Sequence, residues 1–174
     1  MNAEIILTTN TLLIFAIILI PIFGITIYLT KKILPEMIKN GGGTIAVTSS
    51  LTGKFGFLYR SAYSASKHAL HGFFETIRLE YKSKNINVTI VCPGFIRTEI
   101  SVKALSKGGS IYGQMDENQE KGMPASKCAK QYISAIERNK KEVYIGGKEI
   151  KAIYLKRYFP SLFYKKIFSK IPNE

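Results

Sequence analysis

A chain of 174 residues with 21% charged and 46% hydrophobic side chains has the length and apolar content of one folded domain, which excludes wholesale disorder. Its formal net charge of +13 points to an anionic partner, whether a dinucleotide phosphate, an acidic membrane surface or a nucleic acid, or else to a solvated basic tail. Cys92 and Cys128 lie far apart, too few ligands for a structural zinc site, and read as buried, reduced, inert thiols rather than a disulfide.

The chain opens on an apolar leader. Thr11 to Leu29 runs nineteen residues without a charge and is followed by Lys31 and Lys32. That length suits a helix spanning a bilayer core with its C-terminal end on the cytoplasmic side. Pro21, Gly24 and several threonines weigh against a span, and the uncharged start MNAEIILTTN lacks the basic residues of a signal peptide. Residues 1–25 are therefore set apart as a leader, a candidate transmembrane segment or a product of a shifted reading frame.

From Thr26 the pattern is that of an α/β protein. Ile27, Leu29, Ile33, Leu34, Met37 and Ile38 recur at close to a helical period before Gly41-Gly42-Gly43. Thr44–Ser49 is a short β-branched run, expected as a buried parallel strand. Tyr63 to about Lys82 is expected as a long helix, and Asn87–Cys92 as a second strand stopped by Pro93-Gly94. Strand, helix, strand is the unit of a doubly wound sheet. Phe95 to Pro124 is too polar and too long for a plain connection and reads as a lid. Ala125–Asn139 resumes a helix with Ser126 as its expected N-cap, and Glu142–Ile145 is a third strand. The remaining stretch, residues 150–174, interleaves aromatics with lysines. Packing of its apolar face on the domain is the first expectation for it, a membrane surface the second, and single-stranded nucleic acid a distant third.

Three residues carry chemistry: Ser50, Tyr63 and Lys67. Tyr63 and Lys67 form a Y-x-x-x-K pair, which on a helix shares one face a turn apart. A free phenol, with a pKa near about 10, is a poor base at neutral pH, and a neighbouring ammonium favours the phenolate. Such a pair can pass a proton to or from a substrate oxygen. Ser50 ends the first strand thirteen positions earlier and can donate a hydrogen bond to the same oxygen. Ser49 is the runner-up for that role. Alone, a tyrosine and a lysine four apart are more often an exposed helix face. His68 and His71 read as surface or helix-interface residues, Arg60 as a solvated loop residue before a substrate-touching one, and Cys92 as a small core side chain. Met115 and Met123 do not by themselves define a pocket.

The stretch SSLTGKFGFLYRSAYSASKHALHGFFETIRLEY followed by NVTIVCPGFIRT resembles the short-chain dehydrogenase/reductase superfamily, classical type. It matches a strand-ending serine, a Y-S-A-S-K helix start and a P-G-x-x-x-T element, in order. CAKQYISAIERNKKEVYIGG and YLKRYFPSLFY are similar to the branch of dehydrogenase/reductase member seven. The resemblance implies an oxidoreductase moving hydride between NAD(P)(H) and a carbonyl or secondary alcohol, with NAD against NADP left open. It implies catalytic Ser50, Tyr63 and Lys67, with Ser50 also on the substrate. Tyr63 and Lys67 with Pro93, Gly94, Ile96 and Thr98 would meet the cofactor, no metal is implied, and Arg97 to about Pro124 would be the lid.

The resemblance covers Thr26 to Phe168 and implies the C-terminal half of a Rossmann-type doubly wound parallel sheet, with residues 26–149 as its partial catalytic domain. The family's T-G-x-x-x-G-x-G turn, which cradles pyrophosphate at a helix N-terminus, is not in this sequence. Nor is its N-N-A-G strand end, and its helix asparagine falls near Pro21 or Ile22. The expectation is an N-terminally truncated enzyme. The rival is a catalytically inactive remnant, membrane-anchored through the leader. Expected partners are a small-molecule substrate, a second copy through the long Tyr63 helix, membrane contact and no nucleic acid. The expected location is the cytoplasm, or a membrane facing it.

Overall fold

The computed structural model describes residues 9–58, 60–99, 102, 113 and 117–169, with side chains from residue 23 onward. Most of the leader's apolar run and most of the expected lid, Met115 included, lie outside these residues or their side chains. Among the described residues no helix is long and apolar enough to cross a membrane.

The first element is one helix, α1 (Thr9–Lys39), unbroken through Pro21 and Gly24. The boundary expected between residues 25 and 26 therefore falls inside a helix. The sheet follows from β-branched runs that alternate with helices. Strand β1 (Gly43–Thr48), helix α2 (Ser61–Glu80) and strand β2 (Ile86–Pro93) make the first unit. Two short strands, β3 (Ile96–Arg97) and β4 (Met123–Pro124), flank the lid and a one-turn helix, α3 (Glu117–Glu120). Helix α4 (Ala125–Glu137) leads to strand β5 (Glu142–Ile145), and helices α5 (Lys151–Tyr158) and α6 (Pro160–Phe168) close the described chain.

The main sheet is parallel, in the order β1-β2-β5. Thr48 pairs with Val91, and Pro93 with Ile145, so the C-terminal ends of the strands gather at one edge. In open α/β sheets this is the edge that holds ligands. Strand β2 is buried on both faces, as a central parallel strand must be. Ile86, Val88, Ile90 and Cys92 join the core with Leu70, Phe74 and Ile77 of α2 and Leu34 of α1, while Val91, Thr89 and Ala135 of α4 are buried outside that cluster. Among the described residues strand β1 pairs on one side only, and Thr44, Ala46 and Thr48 are exposed. The two ends of the segment expected as a lid are joined, since β3 and β4 pair in parallel and the Met123 amide donates to the Phe95 carbonyl at 2.9 Å.

Two local expectations need correction. Helix α4 is preceded by Pro124 with no side-chain cap, so Ser126 lies inside the helix instead of capping it. Cys92 is buried, whereas Cys128 is only half-buried, and both are free. The tail packs as first expected but along one stripe. Ile153 and Phe163 are buried, with Phe163 edge-on to Phe55 at 5.3 Å between ring centroids.

Phe74 is 1% exposed and stands between α2 and the sheet. Phe74→Ala removes a ring from a close-packed site and is expected to lower unfolding free energy by about 3–5 kcal/mol in urea melts.

Candidate active site

Each site side chain is set by the end of a strand or the start of a helix. Ser50 follows β1 and caps a short 3₁₀ turn, Leu51–Gly53. Its Oγ accepts from the Thr52 amide at 3.2 Å and from Thr52 Oγ1 at 3.1 Å. A hydroxyl has one proton to give, so Ser50 Oγ remains a donor.

Tyr63 lies in the first turn of α2 and Lys67 one turn on, both half-buried. Lys67 Nζ stands over the Tyr63 ring, 5.6 Å from its centroid, within cation–π range. The pair therefore shares one face, as its spacing implies. Nζ donates to the Thr48 carbonyl at 3.0 Å. Burial lowers the Lys67 pKa, partly offset by the nearby Cys92 thiol.

Ser49 does a different job from its neighbour. It is buried, and its Oγ donates to the Lys67 carbonyl at 3.2 Å and lies 3.0 Å from His71 Nε2. With its one hydrogen committed to the carbonyl, the hydroxyl accepts from Nε2–H. This knot takes Ser49 out of contention as the substrate-orienting serine. It also explains Gly53, where a Cβ would strike Ser49 Oγ, His71 Nε2 and the Lys67 carbonyl. Of the two histidines expected at a surface or a helix interface, His71 is buried at the interface of α2 with the strand end, while His68 is exposed and bonds the Ser64 carbonyl at 2.8 Å.

The Pro93-Gly94 element sits beside this knot at the end of β2. The Gly94 amide donates to the Ile145 carbonyl at 2.8 Å. Glu149 Oε1 accepts from the Phe95 amide at 3.0 Å and the Gly147 amide at 2.9 Å. A Cβ at Gly94 would meet the same carboxylate, so a side chain there would displace Glu149 from its amides. Pro93 and Ile96 are half-buried and Thr98 is exposed. Arg60 is an exposed residue immediately before α2.

Sequence reasoning missed three supports. They are the Thr48 carbonyl that holds Lys67, the Ser49–His71 knot, and Glu149. Thr48 Oγ1 also lies 3.1 Å from the Tyr132 hydroxyl, tying β1 to α4. None of the three belongs to a motif, because each acts through fold-dependent contacts.

The electrostatics are arranged in pairs. Lys54 Nζ lies 2.9 Å from Glu142 Oε1 and 3.1 Å from Oε2. Burial raises the Glu142 pKa, but hydrogen bonds from Tyr144 and Lys54 outweigh it and hold the carboxyl below its usual range. His71, Glu75 and Glu142 bring donor atoms within 4.8 Å of one another. The cation beside Glu142 is already supplied by Lys54. Burial, with Lys54 and other nearby cations, pushes His71 down to about 4. Burial pushes the Cys92 thiol up to about 12, leaving it protonated.

The profile of the family described as "short chain dehydrogenase" matches residues 9–108. The chain belongs to the short-chain dehydrogenase family. That match takes in residues 9–25, which sequence reading had set apart. "Dehydrogenase/reductase SDR family protein 7-like" of Drosophila melanogaster is 44% identical over 143 residues, covering 82% of this chain and 44% of the fly protein. "Dehydrogenase/reductase SDR family member 7B" of Mus musculus is 39% identical over 147 residues, covering 84% and 46%. The chain thus spans under half the length of these curated relatives.

Solved structures agree on the fold. A short chain dehydrogenase from Burkholderia cenocepacia, crystallised with NADP, superposes with a TM-score of 0.66 at 20% identity, over 84% of this chain and 55% of that one. A short-chain dehydrogenase from Streptomyces avermitilis gives 0.60 at 25% identity, over 83% and 57%. The short-chain dehydrogenase chain described here is accordingly part of a Rossmann-type α/β fold.

The buried imidazole makes stability depend on pH. An unfolded His71 takes up its proton near 6.5, the folded one only near about 4. Between those values the unfolded state binds more protons, so stability falls as pH drops through that window. Urea melts at stepped pH should show that loss, and His71→Gln should flatten most of it.

Proposed function

We propose that this chain is the catalytic half of an NAD(P)(H)-dependent oxidoreductase acting on a carbonyl or secondary alcohol, with Tyr63 as acid/base, Lys67 as its charged partner and Ser50 orienting the substrate oxygen. The observation that carries this reading is the Lys67 ammonium held over the Tyr63 ring, 5.6 Å from its centroid. A fixed cation there gives proton transfer at the Tyr63 oxygen a charged partner. The Ser50 hydroxyl, whose oxygen already accepts from Thr52, donates to the substrate oxygen and holds the carbonyl for reaction.

The donors present fit the nicotinamide–ribose end of the cofactor. Lys67 has three N–H donors and uses one on the Thr48 carbonyl, leaving others for ribose hydroxyls. Pro93, Gly94, Ile96 and Thr98, at and after the end of β2, would line the nicotinamide, with Gly94 letting the backbone pass close to Glu149. The cofactor would supply the hydride; the protein's part is to orient both reactants and move the proton. The choice between NAD and NADP stays open. One observation favours a second reading, a catalytically inactive chain: no T-G-x-x-x-G-x-G turn occurs in this sequence to grip the pyrophosphate.

The test uses the part of the cofactor that these residues would touch. Reduced nicotinamide mononucleotide and NADPH are titrated into the chain and followed by ligand-observed NMR. Saturable binding is expected, weakened at least about tenfold by Lys67→Met, the order expected for losing a charge-assisted hydrogen bond, with the melting temperature little changed. Tyr63→Phe should abolish any turnover of a carbonyl substrate while leaving the fold intact. Absence of binding by either nicotinamide would sink the proposal and favour the inactive reading. Undiminished turnover in Tyr63→Phe would remove the role from that residue.

A further inference from the structure

Helices α5 and α6 present a face that the packing of the domain does not use. Their inward stripe is committed: Ile153 and Phe163 are buried, and Lys156 Nζ donates to the Lys54 carbonyl at 3.0 Å. That anchoring fixes the outward side. Tyr158 is 69% exposed, Phe159 63%, Phe168 62% and Leu162 55%, with Tyr154 and Tyr164 also open to solvent. Tyr164 and Phe168 stack on one another one helical turn apart, 6.0 Å between centroids. Large apolar groups left open in such density mark an interaction surface.

Charge identifies the partner. Between Lys151 and Ser169 the chain has five cations, Lys151, Lys156, Arg157, Lys165 and Lys166, and no Asp or Glu. The cations alternate with the rings along the same short helices, as in Tyr164-Lys165-Lys166 and Arg157-Tyr158-Phe159. One partner must therefore accept apolar rings and positive charge within a few ångströms of each other. A bilayer with anionic headgroups does so: aromatics settle at the headgroup–acyl boundary, and lysines reach outward to phosphates. We infer that the α5–α6 face docks on an anionic lipid surface, lying on the bilayer rather than crossing it. Nucleic acid would satisfy the charge, but Leu162 would gain nothing from a phosphate backbone.

The test is co-sedimentation of the full chain with phosphatidylcholine vesicles, with and without phosphatidylserine. The chain is expected to bind the anionic vesicles preferentially and to release as salt is raised. Two variants separate this face from the apolar α1. Phe159→Ser/Leu162→Ser/Phe168→Ser removes exposed rings and chains, and Lys165→Glu/Lys166→Glu reverses charge without touching the core. Each should cut the bound fraction on anionic vesicles at least about tenfold, with circular dichroism unchanged. Should the triple variant unfold, the charge-reversal variant decides. Wild-type binding by both variants would assign attachment to α1 and overturn the inference. So would indifference to phosphatidylserine, or binding of a single-stranded oligonucleotide in preference to anionic vesicles.

Discussion

Lys67 is held at both ends by two consecutive residues. The Thr48 carbonyl accepts its ammonium, and the Ser49 hydroxyl donates to its backbone carbonyl. These residues stand at the end of β1, whose position is set by the parallel ladder, the Ser49 amide donating to the Val91 carbonyl at 2.7 Å. One short stretch of strand end thus places the helix bearing Tyr63 and Lys67, and the next residue in sequence is Ser50. The relative positions of Ser50, Tyr63 and Lys67 depend on a few hydrogen bonds in a half-buried place, where such bonds are strong when made and costly when lost.

Behind that half-buried place the buried titratable groups are neutral or paired. His71 is neutral and bonded to Ser49, Lys54 is paired with Glu142, and the Cys92 thiol is protonated behind them. Burial disfavours each ionised form, so charge survives where it is paired or hydrogen-bonded. Lys67 is the instructive member. Burial lowers its pKa, and a carbonyl and an aromatic face, rather than a carboxylate, receive its ammonium.

The sheet is asymmetric. Strand β2 has neighbours on both sides and both faces buried, while β1 offers an unpaired edge among the described residues. Parallel sheets gain stability from covered faces and paired edges. The corner that holds Ser50, Tyr63 and Lys67 therefore lies beside the least enclosed strand, and among the described residues of a chain under half the length of its relatives it is carried on a main sheet of three strands.

Much of this was legible in the residues themselves. Apolar β-branched runs at Thr44–Ser49 and Asn87–Cys92 marked two strands within a residue of their ends, and Glu142–Ile145 was marked residue for residue, because hydrophobic periodicity is local. Tyr63 and Lys67 could be placed on one face because four residues make about one helical turn. Two other features were beyond such reading. Ser49 and Ser50 are identical side chains side by side, and only the packing of α2 against the strand end sends one into a buried knot with His71 and leaves the other facing out. Glu149 looked like a charge in a basic tail until the chain brought its carboxylate to the amides of Gly147 and Phe95. Sequence alone determined which residues could do chemistry, since spacing along a helix or strand is intrinsic to the chain. Tertiary structure decided which do what, since burial and long-range hydrogen bonds exist only once the elements have met.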